Sequence, residues 1–218
     1  HHAHLASEKD VELWPFVDPR CPRWKRRLAA FLELNFGMFY TPYLFWRLFF
    51  SRSSPIKSPK IRRRIWIELG LGLAAWAIAL GLTAAFGLWA FLWLNYFVPA
   101  FIAGNLQSWR KFIEHVGLSG HSARGATRSI VADTWAGKLV SLTLLHEPLH
   151  GIHHIKSSLP HSDLPMHVEW LEASEDGDTA PFPSYWAAFL DVLRCLPDPR
   201  VGRQWDSPQV DTPSSVPI

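Results

Sequence analysis

The feature that most constrains the fold of this chain is a block of forty residues, 65–104, that is almost free of charge. Glu68, close to its start, is the only acidic or basic side chain in the block. A helix needs about 20 apolar residues to cross a bilayer. The block is therefore long enough for two crossings, with a turn near residues 83–87. Its many Gly and Ala residues suit close helix packing in lipid, and we predict a transmembrane hairpin.

A buried hairpin in a soluble core is the alternative, but a soluble hairpin of this length would carry a polar stripe, and none is visible here. The preceding segment, residues 29–50, is also apolar and aromatic. It is interrupted by Glu33, Asn35, Pro42 and Arg47. A charge near the bilayer centre costs about 2.5–3.5 kcal/mol on insertion scales. We therefore expect an interfacial or re-entrant helix there rather than a third span.

Basic residues flank the hairpin at both ends. They are Arg62, Arg63 and Arg64 before it, and Arg110 and Lys111 after it. Positive residues stay on the cytoplasmic side of a membrane, so both ends of the hairpin are expected there. The predicted fold class is all-α: an integral-membrane helical bundle with a transmembrane hairpin and a cytoplasmic, histidine-rich helical cap.

The rest of the chain divides into two predicted parts. Residues 1–167 form the membrane domain, with a helical, polar stretch over 106–135 and a short apolar helix over 136–146. Residues 168–218 form an acidic, proline-containing tail. Within the tail we expect one short amphipathic helix over 185–196 and disorder in the last twenty residues, whose composition lacks apolar surface to bury.

Two other classes fit the composition less well. The chain has only two cysteines, Cys21 and Cys195, and no C-x-x-C pattern, which favours neither a disulfide framework nor a thiolate metal site. Basic clusters such as the one at residues 62–64 are compatible with nucleic-acid binding. The long apolar block beside them argues against it, and no nucleic-acid partner is expected.

Histidines are concentrated after the hairpin. On a helix, positions three and four apart share a face, so His150 lies beside both His153 and His154. Neutral imidazole is a common ligand of iron, zinc and copper. The cluster therefore predicts a nitrogen-rich metal site rather than a solvated polar face.

Residues 146–150 also match H-E-x-x-H, the pattern of zinc proteases. That pattern needs both histidines on one unbroken helix, and Pro148 lies between His146 and His150. A zinc site needs three or four ligands, whereas this chain offers more on the same predicted face. A two-metal site is therefore favoured.

Several of these motifs resemble the membrane fatty acid desaturase family. H-G-I-H-H at 150–154 is similar to its third histidine box, H-x-x-H-H, and residues 155–165 are similar to the run that follows it. The start of the chain, H-H-A-H-L-A-S-E-K-D, resembles the end of the second box. W-R-K-F-I-E-H at 109–115 and T-R-S at 127–129 resemble two further family segments.

The resemblance implies two non-haem iron ions and a set of imidazole ligands: His1, His2, His115, His150, His153 and His154. His146 falls where many members carry Asn, and it is either a further ligand or a residue that holds water near the metal. Glu114 is expected to orient a ligating imidazole, and Asp10 to lie beside the site. A solvated surface position is the alternative for both.

The chain departs from the family pattern in one respect. The first box, H-x-x-x-H, and the first histidine of the second box are absent. We expect both to lie upstream of His1 in a longer protein, and we expect the 218-residue piece alone to be inactive because it cannot hold two irons tightly.

The implied activity is that of an oxidoreductase of lipid metabolism, a desaturase that uses O2 and two electrons to insert a double bond into a fatty acyl chain. Its implied partners are an acyl lipid, membrane lipids and an electron donor such as ferredoxin or cytochrome b5 with its reductase. One alternative is a hydroxylase or ketolase of the same superfamily acting on a lipid, alkane or carotenoid. The other is a non-enzymatic membrane protein that binds or transports metal ions, which would carry ligands inside its spans.

Overall fold

Helices form the regular structure of residues 1–50, 54, 56–120, 122–174 and 177–206, the parts of the chain that the computed structural model describes. The α-helices, in chain order, are α1 (Arg23–Asn35), α2 (Tyr40–Phe50), α3 (Pro59–Ala85), α4 (Trp89–Leu92), α5 (Val98–His115), α6 (Trp135–Thr143), α7 (His150–Ile155) and α8 (Tyr185–Cys195). Short 3-10 helices cover His2–His4, Gly37–Phe39, Leu164–Leu171 and Arg203–Trp205, and a π-helical turn, Trp93–Phe97, joins α4 to α5. No strand occurs among these residues, where Ile130 and Phe182 form one isolated β-bridge. The all-α prediction is confirmed.

The apolar block forms two long helices with a turn between them, as predicted. The Ser58 side chain caps α3 by accepting from the Ile61 amide, and Gly87, with φ +67°, follows the end of that helix. Pro59–Ala85 and Trp89–His115 are each 27 residues long and apolar enough to cross a bilayer, and 0% of their most apolar windows is buried within the protein. Side chains that face outward along such helices suit a lipid environment.

The chain divides into two compact units, which we call the hairpin unit (Phe31–Trp109) and the histidine unit (His1–Ala30 with Arg110–Ile218). In the hairpin unit, the turn at Gly37 packs closely on α5. The Gly37 amide donates to Asn105 Oδ1 at 2.7 Å, and a Cβ atom on Gly104 would lie 2.5 Å from the Met38 amide nitrogen. Two glycines therefore allow backbone to approach backbone at this point.

In the histidine unit, the helical prediction for residues 106–135 is only partly right. Helix α5 ends at His115, and Gly117 follows with φ +89°. The segment beyond it is irregular and is held by Arg128, which is 1% exposed. The Arg128 guanidinium donates to the carbonyls of Ile113 and Val116 and pairs with Asp191 at 2.7 Å. These hydrogen bonds satisfy backbone carbonyl groups at the end of α5, which lack a partner within the helix.

The C-terminal part contains α8, close to the predicted 185–196. The expected disorder is wrong for residues 199–206, because Val201 is fully buried and its amide donates to the Phe16 carbonyl at 3.0 Å. Trp205 Nε1 donates to the same carbonyl at 2.9 Å. Residues 207–218 and the acidic pair Glu175 and Asp176 lie outside the described residues. The predicted division of the chain at residue 167 stays a prediction.

Candidate metal centre

Six histidine rings from three segments of the chain meet in the histidine unit. The segments are the N-terminal 3-10 turn, the end of α5 and helix α7. Neighbouring ring centroids lie 4.5–5.9 Å apart. The rings are those of His1, His2, His115, His150, His153 and His154. The structure thus brings together every imidazole that the resemblance implied as a ligand, with the ligand roles themselves untested.

Helix α7 presents three of these rings because its opposite face is anchored in a small apolar core. Ile152 is fully buried against Leu149, Leu164 and Leu171. Gly151 lies so close to the 127–129 segment that a Cβ atom would stand 2.8 Å from Ser129 Oγ, and its amide donates to that oxygen at 2.8 Å. Close packing on this face fixes the direction of the histidines on the other.

Helix α7 begins at His150, just after Pro148. His146 precedes the proline with a positive φ of +59°, and its Nδ1 lies 3.2 Å from Ser141 Oγ. The two histidines of H-E-x-x-H therefore do not share a helix, as the zinc-protease pattern would require. The role of His146, as ligand or water-holding residue, stays a prediction.

The nitrogen spacing suits a metal. His150 Nε2 lies 2.9 Å from His115 Nε2 and 3.1 Å from His154 Nε2. Metal–imidazole bonds of about 2.0–2.1 Å at a right angle place two ligand nitrogens about 3 Å apart. The ligand atoms of His1, His115 and His154, and separately those of Glu114, His115 and His150, lie within 4.8 Å of one another. The residues present fit an imidazole-rich metal centre.

The other nitrogen of several rings faces an acceptor. His1 Nδ1 lies 2.9 Å from Asp10 Oδ2, and His115 Nδ1 lies 3.1 Å from the Ala126 carbonyl oxygen. His150 Nδ1 lies 3.5 Å from Glu147 Oε2 and forms no hydrogen bond to a described residue. An acceptor at Nδ1 fixes the tautomer that leaves Nε2 with a free lone pair, as in known metal sites.

Asp10 is itself held in a turn. It is buried and accepts from the backbone amides of Ala6, Glu12 and Leu13. Burial raises the pKa of the Asp10 carboxyl, against the effect of these hydrogen bonds. The turn that carries His1 and His2 is therefore tied to the residue that contacts His1.

The rings lie in surroundings that favour neutral imidazole. Burial, together with the neighbouring His150, lowers the pKa of His154 to about 2. Burial likewise lowers the pKa of His153 and of His2. Neutral imidazole is the form that binds metal. His2 stacks on His154 with centroids 4.5 Å apart and contacts His153 edge-on at 4.6 Å.

Three polar residues at the site were missed from the sequence. Arg110 lies 3.6 Å from Glu114 and 3.4 Å from Glu147. His150, 3.5 Å away, lowers the pKa of Glu147 to about 2, although burial opposes it. Tyr185 Oη is buried without a hydrogen-bond partner among the described residues, and burial raises its pKa. The position of Glu147 between two histidines could have indicated its role from the sequence. Nothing in the sequence indicated Tyr185.

Outward-facing apolar helices and converging imidazoles define a membrane-associated, histidine-rich protein that could hold metal. The family model described as fatty acid desaturase matches residues 1–189. The chain therefore belongs to the fatty acid desaturase family, and its class is that of the desaturase-like and hydroxylase-like lipid oxidases. No curated protein and no solved structure matches it.

Proposed function

We propose that this chain is part of an enzyme that uses O2 to insert a double bond into a fatty acyl chain at a di-iron centre. The observation that carries the proposal is the convergence of six imidazoles from three distant segments. Family membership supports the reaction class. The 3 Å spacing of the Nε2 atoms is compatible with a shared metal.

His1, His115, His150 and His154 would hold one side of the centre, and His2 and His153 would hold the other. Two bound irons would supply activation of O2 with two electrons and removal of hydrogen from an unactivated C–H bond. The ferredoxin or cytochrome b5 type of donor, with its reductase, would supply those electrons.

The protein's own contribution is orientation. Asp10 and the Ala126 carbonyl accept from Nδ1 of His1 and His115 and so aim Nε2 into the site. Burial of His115 and His150 excludes water from one side, which protects reactive chemistry from side reactions. Because α7 is closely packed, its three histidines would already be held in place before each turnover. No side-chain conformational freedom would then be lost in the reaction.

We further propose that the protein is a multi-pass membrane protein with its histidines on the cytoplasmic face. Two helices of spanning length support the first part. The basic residues that flank the hairpin support the second.

The test is product analysis with the full-length protein in membranes, supplied with iron, a reductase chain, O2 and acyl lipids. We expect a product that has lost two hydrogens. His153→Ala should abolish it and lower bound iron, because a ring in the cluster is removed. His161→Ala is the control, since His161 is exposed and should retain full activity. A hydroxylated product, or an active His153→Ala enzyme, would contradict the proposal.

A further inference from the structure

His150 lies between two carboxylates that approach its two different ring nitrogens. Glu114 Oε2 is 3.6 Å from His150 Nε2, and Glu147 Oε2 is 3.5 Å from His150 Nδ1. Arg110 lies between the two acids, 3.6 Å from Glu114 and 3.4 Å from Glu147. The four side chains form a closed ring of polar groups beside the candidate metal centre.

The two ring nitrogens of His150 do not face the same surroundings. Nε2 points to the Nε2 atoms of His115 and His154, at 2.9 and 3.1 Å. It is therefore the nitrogen that would bind metal. A carboxylate that orients a ligating imidazole must contact the opposite nitrogen. Glu147 lies on the side of that opposite nitrogen, 3.5 Å from Nδ1, which forms no hydrogen bond to a described residue, and Glu114 does not lie there.

Glu114 instead lies on the metal side of the ring. Its ligand atom and those of His115 and His150 lie within 4.8 Å of one another. The residue is 4% exposed, and its Oε2 atom is the one that approaches His150 Nε2, at 3.6 Å. A carboxylate buried beside imidazole nitrogens is costly, and a cation in the centre would compensate for it. The other oxygen, Oε1, faces Arg110 Nε at 3.6 Å, beyond hydrogen-bond distance.

We propose that Glu114 is a carboxylate ligand of the metal bound by His115 and His150, and that Glu147 is the positioning residue that holds His150 through Nδ1. The inference rests on the proposed metal centre. It assigns to Glu114 a different role from the orienting one that the family resemblance implied. A ligand set of carboxylate and imidazole suits iron better than it suits soft metals.

The test uses infrared difference spectra of the full-length protein with and without Fe(II), together with metal affinity measured by chelator competition. We expect binding to shift a carboxylate stretching band in the wild-type protein. Glu114→Gln should abolish that shift and lower the affinity for one of the metals. Glu147→Gln should lower the affinity about 10–100-fold, as loss of an orienting partner does, but it should retain the shift.

Two further variants keep the result interpretable. Glu114→Asp retains a carboxylate and should restore the shifted band even where its affinity is reduced, while Glu172→Gln, at an exposed position, should match the wild type. A band shift that survives Glu114→Gln would overturn the assignment of Glu114. Loss of the shift in Glu147→Gln alone would reverse the two roles. If the wild-type protein binds no iron, the proposed function itself fails.

Discussion

Arg128 shows how much one buried side chain supports the site. It is nearly inaccessible, and its guanidinium bridges the last turn of α5 to Asp191 on α8. Its backbone amide also donates to the Glu114 carbonyl at 2.7 Å. The Arg128 guanidinium therefore holds the residues that follow His115, through partners at the end of α5 and on α8.

We predict that Arg128→Met lowers the free energy of unfolding by about 1–3 kcal/mol, since it leaves buried carbonyls without their donor and the partly exposed Asp191 without its cation. Denaturant titration of the protein, followed by fluorescence and helicity, measures this loss. Arg27→Met is the matched control, because Arg27 is exposed and should change stability by less than about 0.5 kcal/mol. Equal stability of both variants would show that Arg128 contributes no net stabilisation.

At the same scale, the sequence indicated the histidines and Asp10, the partner of His1, but not how the two glutamates are placed around His150. His150, His153 and His154 follow from helical spacing alone, and the short helix α7 has that spacing. The opposite placement of Glu114 and Glu147 could not be predicted, because it depends on which ring nitrogen faces the cluster after α5 and α7 have packed. Tyr185 reaches the site from a distant helix for the same reason.

At the scale of elements, the close contact of Gly37 and Gly104 sets the packing within the hairpin unit. A Cβ atom at residue 104 would meet the Met38 backbone nitrogen at 2.5 Å, and backbone cannot move aside as a flexible side chain can. By contrast, a Cβ atom at Gly81 has nothing within 4 Å. The two helical glycines are thus a matched pair for substitution.

Gly104→Ala should destabilise the protein by about 1–3 kcal/mol through overpacking, which outweighs the gain of up to about 1 kcal/mol in helix propensity. Gly81→Ala should be neutral or stabilising. Thermal unfolding in detergent measures both, and the expected order of Tm is Gly81→Ala at or above wild type, with Gly104→Ala below it. A Tm for Gly104→Ala at the wild-type value would mean that this contact is loose.

The sequence predicted the helices that follow from composition alone. The prediction was poor where a tertiary contact determines the backbone conformation. The two long helices follow from forty residues of apolar sequence. The stretch after His115 reads as helical, yet Gly117 turns it and the buried Arg128 holds it irregular. Residues 199–206 read as disordered because they are polar and contain proline, but Val201 packs into the core and bonds with Phe16.

At the scale of the whole molecule, the proposed topology can be tested by accessibility. We predict that the turn between α3 and α4 and the histidines lie on opposite sides of the membrane. In a background with Cys21 and Cys195 replaced by alanine, Phe86→Cys probes the turn and Ser157→Cys probes the segment after α7. Phe86 is 71% exposed, and Ser157 is exposed as well.

In sealed vesicles with the cytoplasmic face outward, an impermeant maleimide should label Ser157→Cys and spare Phe86→Cys. Vesicles of the opposite orientation should give the opposite pattern, and detergent should make both positions reactive. Labelling of both positions from one side would contradict the spanning hairpin. The reverse pattern would retain the hairpin but invert its orientation.

The distribution of the six rings along the chain also bears on how the protein is made. His1 and His2 are synthesised before the apolar hairpin, and His154 is synthesised only after it. A metal centre built from both groups would have no complete ligand set until residue 154 has been added. In the proposed function, iron delivery would therefore follow synthesis of the hairpin, and iron-starved cells should accumulate metal-free protein.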